Sequence, residues 1–318
     1  MPIQTIVWAV DPFEEVGELR ESQLNAVRLL AKRPGARVIP LYLFSPHELD
    51  LSPEFAPLVT YQYEPAAERA LEAIVGSLKI QNVEKPRLIS HETASRTQAV
   101  DHLIREARKL NADLILVGTH GRKGIERWIL GSFAETLLFR SDIPTLMVSA
   151  NPFWDNGFKR ILFPTDLGDY SRSLFHEAVV TAKAWDSELV LFHSLPNPIE
   201  PIFQSGVFLL GGAWTPVHAY FSEDAVQRRK KVEAWAEWAY DQGVKISAVV
   251  EERGGAVSGA IQRIVQDQNI GLIMIAAQSS RIESLLIGSI SRQVVRQSSV
   301  PVMILHPHPR KQFSESAA

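Results

Sequence analysis

The chain has 318 residues, a length that suggests two ordinary domains of about 150 residues each, with one large domain as the competing possibility. Its composition, 46% hydrophobic and 22% charged, is typical of a soluble globular protein and excludes a disordered, collagen-like or coiled-coil chain. The net charge of -3 argues against a nucleic-acid partner, and the absence of cysteine excludes disulfides and thiolate-bound metals.

The sequence also lacks the signals of a membrane or secreted protein. No apolar run approaches the roughly 20 residues that a membrane helix needs. The N-terminus has no basic start followed by an apolar stretch. We therefore expect a cytoplasmic protein with no membrane partner, and the missing cysteines are consistent with that compartment.

Short β-rich apolar runs alternate with helical segments along the chain. Strands are predicted at 5–10, 37–43, 87–90, 113–118 and 144–149, and again at 160–164, 188–193, 245–250, 271–276 and 301–305. Apolar residues at helical spacing lie between them, as in Val100, Leu103 and Ile104. Alternating strands and helices predict right-handed crossovers and a parallel sheet covered on both faces. Each half is therefore predicted to be a five-stranded, doubly wound α/β domain.

The two halves are predicted to be copies of one domain, because matching segments recur at a nearly constant separation. The matching pairs are Thr5–Asp11 (TIVWAVD) with Arg160–Asp166 (RILFPTD), Asp113–Gly118 (DLILVG) with Gly271–Ala276 (GLIMIA), and Gly131-Ser132 with Gly288-Ser289. The duplication predicts domains at 1–150 and 158–306. A linker rich in Asn, Pro, Asp and Gly joins them, and a flexible tail at 307–318 follows.

Glycines follow the fourth strand of the first half. Gly118, Gly121 and Gly131 form a G-x2-G-x9-G-S pattern that ends at Ser132. Glycine lets the backbone approach a phosphate closely, and Gly131-Ser132 would begin a helix whose N-terminus favours negative charge. The pattern therefore predicts a phosphate cradle. The alternative is that the glycines only form a turn and that Ser132 only caps a helix.

Together with Asp11 at the end of the first strand, this pattern resembles the nucleotide-binding signature of the universal stress protein family. The resemblance covers both halves and implies a tandem member with an adenine nucleotide alpha hydrolase-like fold. It implies binding of ATP, with or without Mg²⁺, or of a related adenine nucleotide in the first half. In this reading Asp11 contacts adenine, residues around Leu43 flank the base, and the glycine loop holds ribose and phosphates. The residues so assigned are Asp11, Leu43, Gly118, His120, Gly121, Gly131 and Ser132, and the cation Arg122 is a further binding candidate beside them.

Some residues of the first half depart from the family pattern. Phe133 follows Ser132 where ATP-binding relatives commonly carry a small residue, and Pro12 and Phe13 follow Asp11 where a Gly-Ser-type turn is common. His120 lies inside the glycine loop, where a binding role is favoured over acid/base catalysis. Arg122 and its neighbour Lys123 are not part of the pattern. As cations they would help to neutralise phosphate, and the alternative is two solvated loop charges.

Compared with the first half, the second half matches the family pattern more closely at the end of its first strand and less closely in the glycine loop. Pro164-Thr165-Asp166 is close to the ending seen in ATP-binding relatives, whereas Ala276 and Ser279 replace two glycines. Each replacement adds a Cβ where the backbone should touch phosphate. We therefore expect a weak or absent triphosphate site here. Its candidate residues are Asp166, Ser279, Gly288 and Ser289.

The resemblance also implies how the halves associate, because domains of this family pair through their last strands. The segments 145–148 and 302–305 are apolar, β-prone edges that need to be covered. We predict that they pair antiparallel and form an internal pseudo-dimer related by a pseudo-two-fold axis. This gives a monomer and leaves further dimerisation open.

No catalytic constellation or metal site is visible, because P-loop, dinucleotide-binding, hydrolase-elbow and HExxH motifs are missing. Any ATP hydrolysis is expected to be slow, and the leading hypothesis is a stress-response sensor or regulator that signals through nucleotide occupancy. One alternative is a nucleotide-independent scaffold or chaperone-like protein. It would bind an unidentified protein or an apolar ligand through the second half, near the apolar segment 206–214. A true ATPase or nucleotide transferase would need an activating base and a metal-positioning group that the sequence does not reveal.

Overall fold

The computed structural model describes most of the chain. The described residues are 3–14, 17–44, 56–91, 95–119, 131–150, 157–195, 214–252, 254–277 and 288–306. The predicted tail at 307–318 lies outside them, as do linker residues 151–156 and residues 206–213 of the apolar segment. No helix within the described stretches combines the length and the apolar character needed to cross a membrane.

Each described strand lies where an apolar run predicted it, and no strand end differs from its prediction by more than one residue. The strands are β1 (Thr5–Ala9), β2 (Arg37–Phe44), β3 (Arg87–Ser90), β4 (Leu114–Gly118), β5 (Thr145–Val148), β6 (Arg160–Pro164), β7 (Glu188–Ser194), β8 (Ile246–Glu251), β9 (Leu272–Ala276) and β10 (Val302–Leu305). The central strands are buried along their whole length, and such strands appear in sequence as continuous apolar runs.

Helices cover the sheet between these strands. They are α1 (Glu18–Ala31), α2 (Ala56–Leu78), α3 (Arg96–Lys109), α4 (Ser132–Arg140), α5 (Asp169–Trp185), α6 (Trp214–Asp241), α7 (Val257–Asp267) and α8 (Ser289–Gln297). The buried side of α3 carries Val100, Leu103, Ile104 and Ala107, as the helical spacing predicted. Val232, Trp235 and Ala239 of α6 are likewise buried.

All strands belong to one sheet, in the order β3-β2-β1-β4-β5-β10-β9-β6-β7-β8. Within each half the strands are parallel, and the first strand of each half lies between the second and the fourth. The prediction of two doubly wound, five-stranded halves is therefore confirmed. Because the chain fills the sheet outward in both directions from the first strand, a crevice is expected at the carboxyl ends of the first and fourth strands.

The last strands of the two halves join them, as predicted. β10 pairs antiparallel with β5, with Met303 opposite Leu146 and Val302 opposite Met147. The helices next to this junction also meet, because Arg296 of α8 donates to Glu135 of α4 at 2.8 Å. Both strand edges are thereby covered within one chain, and the internal pseudo-dimer is confirmed.

Candidate functional site

The carboxyl ends of β1 and β4 form the centre of the candidate site. The two strands are neighbours, and Ala9 lies opposite Val117 in their register. Asp11 follows the end of β1, and Gly118 is the last residue of β4. Ligands of doubly wound sheets bind beyond the carboxyl ends of the strands at this type of position. The fold thus brings the segments of Asp11 and Gly118 to one edge of the sheet.

The other predicted residues occupy different parts of this edge. Leu43 is half-buried on β2, in register with Ile89 of β3. Gly131 is the N-cap of α4, Ser132 is its first residue, and no described side chain caps the helix. The free N–H groups and partial positive charge of such a helix end suit an anion. The predicted residues His120, Gly121, Arg122 and Ser279 lie outside the described residues.

Asp11 shapes the turn that follows β1. Its Oδ1 accepts a hydrogen bond from the backbone N–H of Phe13 at 2.9 Å. The guanidinium of Arg20 donates to the backbone carbonyl of Asp11 at 2.5 Å and to that of Glu14 at 3.3 Å. Arg20 is only 4% exposed, so this cation is held beneath the turn. The Asp11 carboxylate is therefore fixed at the sheet edge.

A buried polar network supports the turn, and the sequence analysis did not predict it. The indole N–H of Trp8 donates to Gln23 Oε1 at 2.9 Å, and Gln23 Nε2 donates to the Glu14 carboxylate at 2.9 Å. Arg20 Nε lies 3.7 Å from the same carboxylate. A sequence signal did exist, because Arg20 and Gln23 interrupt the apolar stripe of α1. Polar residues on a buried stripe need partners, and those partners are near the site.

Gly118 has a packing role that is independent of any ligand. A Cβ on Gly118 would lie 2.4 Å from Gln23 Nε2 and 3.0 Å from Gln23 Cδ. The second half has Ala276 at the position of Gly118, and it has Ala178 where α1 carries Gln23. The difference between Gly118 and Ala276 therefore has a packing reason. It does not by itself indicate that a phosphate contact is lost in the second half.

The second half closes the corresponding edge with its own hydrogen bonds. The N–H of Gly288 donates to the carbonyl of Ala277 at 3.0 Å, and the Ser291 hydroxyl donates to the carbonyl of Ala276 at 2.9 Å. The first half has Ala134 where α8 has Ser291, and within the described residues no equivalent bond joins α4 to the end of β4. The start of α8 is thus tied to β9.

The structure also describes two other predicted residues of the second half, Ser289 and Asp166. Ser289 is the first residue of α8. Asp166 is exposed, and its Oδ1 accepts hydrogen bonds from the N–H of Gly168 at 2.9 Å and from the Ser171 hydroxyl at 2.5 Å. One carboxylate oxygen of Asp166 is therefore already used in its own turn.

A buried histidine lies beside Asp166 on β7. His193 is 2% exposed, and its Nδ1 lies 2.8 Å from the carbonyl oxygen of Thr165, which can only accept the hydrogen bond. Burial lowers the pKa of His193 from its ordinary value of 6.5, and the charge of Arg228 acts in the same direction. The hydrogen bond to Thr165 and the carboxylates of Asp166 and Asp224 oppose this shift. The neutral imidazole is therefore favoured in the folded state.

The protein is expected to lose stability as the pH falls below about 6.5, because the unfolded chain then takes up protons that the folded His193 resists. His176 is expected to change stability with pH in the same direction. Burial is the larger cause that lowers its pKa, and the charge of Arg172 is the smaller one. Replacing His193 with asparagine keeps an N–H near the Nδ1 position and removes the titration. Urea midpoints near pH 7.5 and near pH 5.5 measure the effect. The variant should lose less stability than the wild type between them, and an unchanged difference would contradict this account.

The described residues contain no group of three or more His, Asp or Glu side chains placed to hold a metal ion.

Comparison with known proteins identifies the same family in both halves of the chain. A model of the universal stress protein family matches residues 2–149 and 157–306. A universal stress protein of Methanocaldococcus jannaschii is 25% identical over 152 residues, which cover 48% of this chain and 84% of that protein.

A solved structure that spans the whole chain has the same fold. A universal stress protein from Archaeoglobus fulgidus has a TM-score of 0.64 at 17% sequence identity and covers 95% of this chain and 96% of its own. A universal stress protein of Archaeoglobus fulgidus in complex with dAMP covers 46% of this chain and 97% of its own, with a TM-score of 0.34 and 17% identity. The first likeness spans both halves, so the arrangement of two doubly wound halves is shared.

Proposed function

Because the chain belongs to the universal stress protein family, with two copies of the family domain in tandem, we propose that its first half binds ATP or a related adenine nucleotide. Occupancy of this site then acts as a stress-response signal, with little or no catalysis. Asp11 contacts the base, Leu43 flanks it, and the loop that begins at Gly118 holds the ribose and phosphates. Gly131 and Ser132, at the start of α4, bind phosphate oxygens through their backbone N–H groups.

The observation that carries the proposal is the composition of one sheet edge. The fixed carboxylate of Asp11 and the end of β4 at Gly118 lie at the carboxyl ends of adjacent strands. The helix α4 begins after the same loop with Gly131 and without a described side-chain cap. A hydrogen-bond acceptor for a base and helix N–H groups without a described side-chain cap thus lie on one side of the sheet. These are the two chemical requirements of a nucleotide site.

The two halves are proposed to differ in occupancy. In the second half the N–H of Gly288 is already bonded to the carbonyl of Ala277, and Ser291 is bonded to Ala276. A phosphate there would have to break these bonds before it could use the same groups. We therefore expect one nucleotide per chain, held by the first half.

Isothermal titration calorimetry with ATP, with and without Mg²⁺, and with dAMP tests the proposal. The expected result is one site per chain. Asp11→Asn keeps an oxygen for the N–H of Phe13 and removes the charge, so its affinity should fall by about tenfold or more. The matched control is Asp166→Asn, the same change in the second half, which should leave the affinity unchanged.

Two results would count against the proposal. Absence of binding by any of these adenine nucleotides in the wild type would remove the nucleotide-sensor function. Two equivalent sites per chain, with equal losses for Asp11→Asn and Asp166→Asn, would remove the inequality between the halves. A thermal melt of each variant shows whether a loss of binding reflects a loss of folded protein.

A further inference from the structure

Aromatic rings form a continuous cluster from the core to the surface at the carboxyl ends of β1 and β2. Phe44 is 1% exposed, and its ring is stacked on Tyr63 with centroids 4.3 Å apart and an angle of 21°. The ring centroids of Tyr63 and Phe13 are 4.8 Å apart with the rings tilted by 48°, and Phe13 is 47% exposed. Tyr42 completes the group, with its ring edge-on to Phe13 at 6.4 Å. We call these residues the aromatic cluster.

The aromatic cluster is held in place by hydrogen bonds on both sides. The Tyr42 and Tyr63 hydroxyls are 2.9 Å apart and share a hydrogen bond. Phe13 is fixed through its backbone, because its N–H donates to Asp11 Oδ1. The residue proposed to contact the base thus also positions the exposed ring. An exposed aromatic ring that is ordered before binding offers a flat surface with little entropy left to lose.

Among the described residues, the exposed end of the aromatic cluster has no counterpart in the second half. The residue that matches Phe13 in the second half is Gly168, and the residue that matches Tyr42 is His193. Leu167, which precedes Gly168, is 3% exposed and therefore points away from the surface. The exposed Phe13 ring and the start of α4, which no described hydrogen bond ties to the end of β4, occur in the half that is proposed to bind nucleotide.

We propose that Phe13, backed by Tyr63, is a stacking surface for the base of the bound nucleotide. This inference rests on the proposed function and extends it to the class of ligand. The planar base then supplies a large part of the affinity, beside the phosphate contacts of Gly131 and Ser132. Stacking a base on an aromatic ring changes affinity by about 5- to 150-fold. Adenosine, which keeps the base, should therefore bind more tightly than ribose 5-phosphate, which lacks it.

Three replacements of Phe13 separate stacking from simple apolar contact. Phe13→Tyr keeps a ring and should retain the wild-type affinity for adenosine. Phe13→Leu keeps an apolar side chain without a π face, and Phe13→Ala removes both. Both should weaken adenosine binding, by about tenfold or more for alanine. Tyr61→Ala is the matched control. Tyr61 is 79% exposed on α2 and makes no described ring contact with the aromatic cluster.

The outcomes distinguish this inference from the proposal on which it rests. If the wild type binds ATP, and Phe13→Ala binds ATP and adenosine as tightly as the wild type does, the stacking inference is wrong and the nucleotide site stands. If Phe13→Leu retains full affinity, the contact is apolar and a ring is not required, which also overturns the inference. If the wild type binds neither ATP nor adenosine, both the proposed function and the stacking surface fall. Circular dichroism melts confirm that each variant is folded.

Discussion

Replacing Gly271 with alanine is expected to destabilise the protein by about 3 kcal/mol or more. A Cβ at this position would lie 1.7 Å from the carbonyl oxygen of Gly157 and 2.9 Å from its carbonyl carbon. Both are backbone atoms, so no side-chain rotation relieves the overlap. The chain that leads into β6 would have to move away from β9, and the hydrogen bond from the Gly271 N–H to the Arg160 carbonyl, now 3.0 Å, would be strained.

Denaturant unfolding followed by circular dichroism measures this effect. Gly259→Ala in α7 is the control in the same half, because nothing lies within 4 Å of a Cβ at that position. Alanine is the better helix former, so the control should unfold at the same or a higher denaturant concentration, with a gain of up to about 1 kcal/mol. A Gly271→Ala variant as stable as the wild type would show that the two backbone segments do not approach so closely.

The central strands could be predicted from sequence because they are buried on both faces. A strand such as Leu114–Gly118, buried at every residue, has to be apolar throughout, and this sets it apart from the helices around it. The edge position of Asp11 and Gly118 followed directly from the strand ends. The antiparallel pairing of β5 with β10 followed from the family resemblance together with two apolar edges that needed cover.

Contacts between distant residues could not be predicted in the same way. The requirement for glycine at Gly118 comes from Gln23, and the requirement at Gly271 comes from the backbone of Gly157. Neither partner is adjacent in sequence, and nothing in the local pattern identifies it. The glycines were therefore interpreted through the phosphate pattern, although packing alone already requires Gly118. Phe13 departs from the family pattern in the sequence, but its contact with the Tyr63 ring depends on a helix far along the chain.

The two copies have diverged most clearly between the first strand and the first helix of each half. The first half has Trp8 and Gln23 there, joined by a buried hydrogen bond. The second half has Phe163 and Ala178 at the matching positions, and the ring of Phe163 lies 5.4 Å from that of Phe175. One half thus uses a polar network beneath the turn at Asp11, and the other uses aromatic packing. The residue that ends the fourth strand differs accordingly. It is Gly118 in the half that carries Gln23 and Ala276 in the half that carries Ala178.

This coupling predicts a strongly non-additive pair of substitutions. Gly118→Ala alone is expected to cost about 2–3 kcal/mol, because Gln23 can move aside only by breaking its hydrogen bonds to Trp8 and Glu14. Gln23→Ala alone should cost about 2–4 kcal/mol, since the Trp8 indole N–H loses its acceptor and a cavity remains. Once Gln23 is alanine, the added Cβ at Gly118 has space, as in the second half. The free energy of unfolding of the double variant should therefore be at most about 0.5 kcal/mol lower than that of Gln23→Ala.

Equilibrium unfolding of the four proteins in this cycle gives the coupling free energy, expected to be about 2 kcal/mol in favour of the double variant. Gly76→Ala is a control for the general effect of replacing glycine in the first half, because a Cβ at Gly76 meets nothing within 4 Å. It should leave stability unchanged or raise it by up to about 1 kcal/mol. Additive losses in the cycle would mean that Gly118 is required for a reason other than Gln23. Nucleotide titration of the folded double variant then measures what Gly118 contributes to binding, free of the packing defect that a single substitution at Gly118 would introduce.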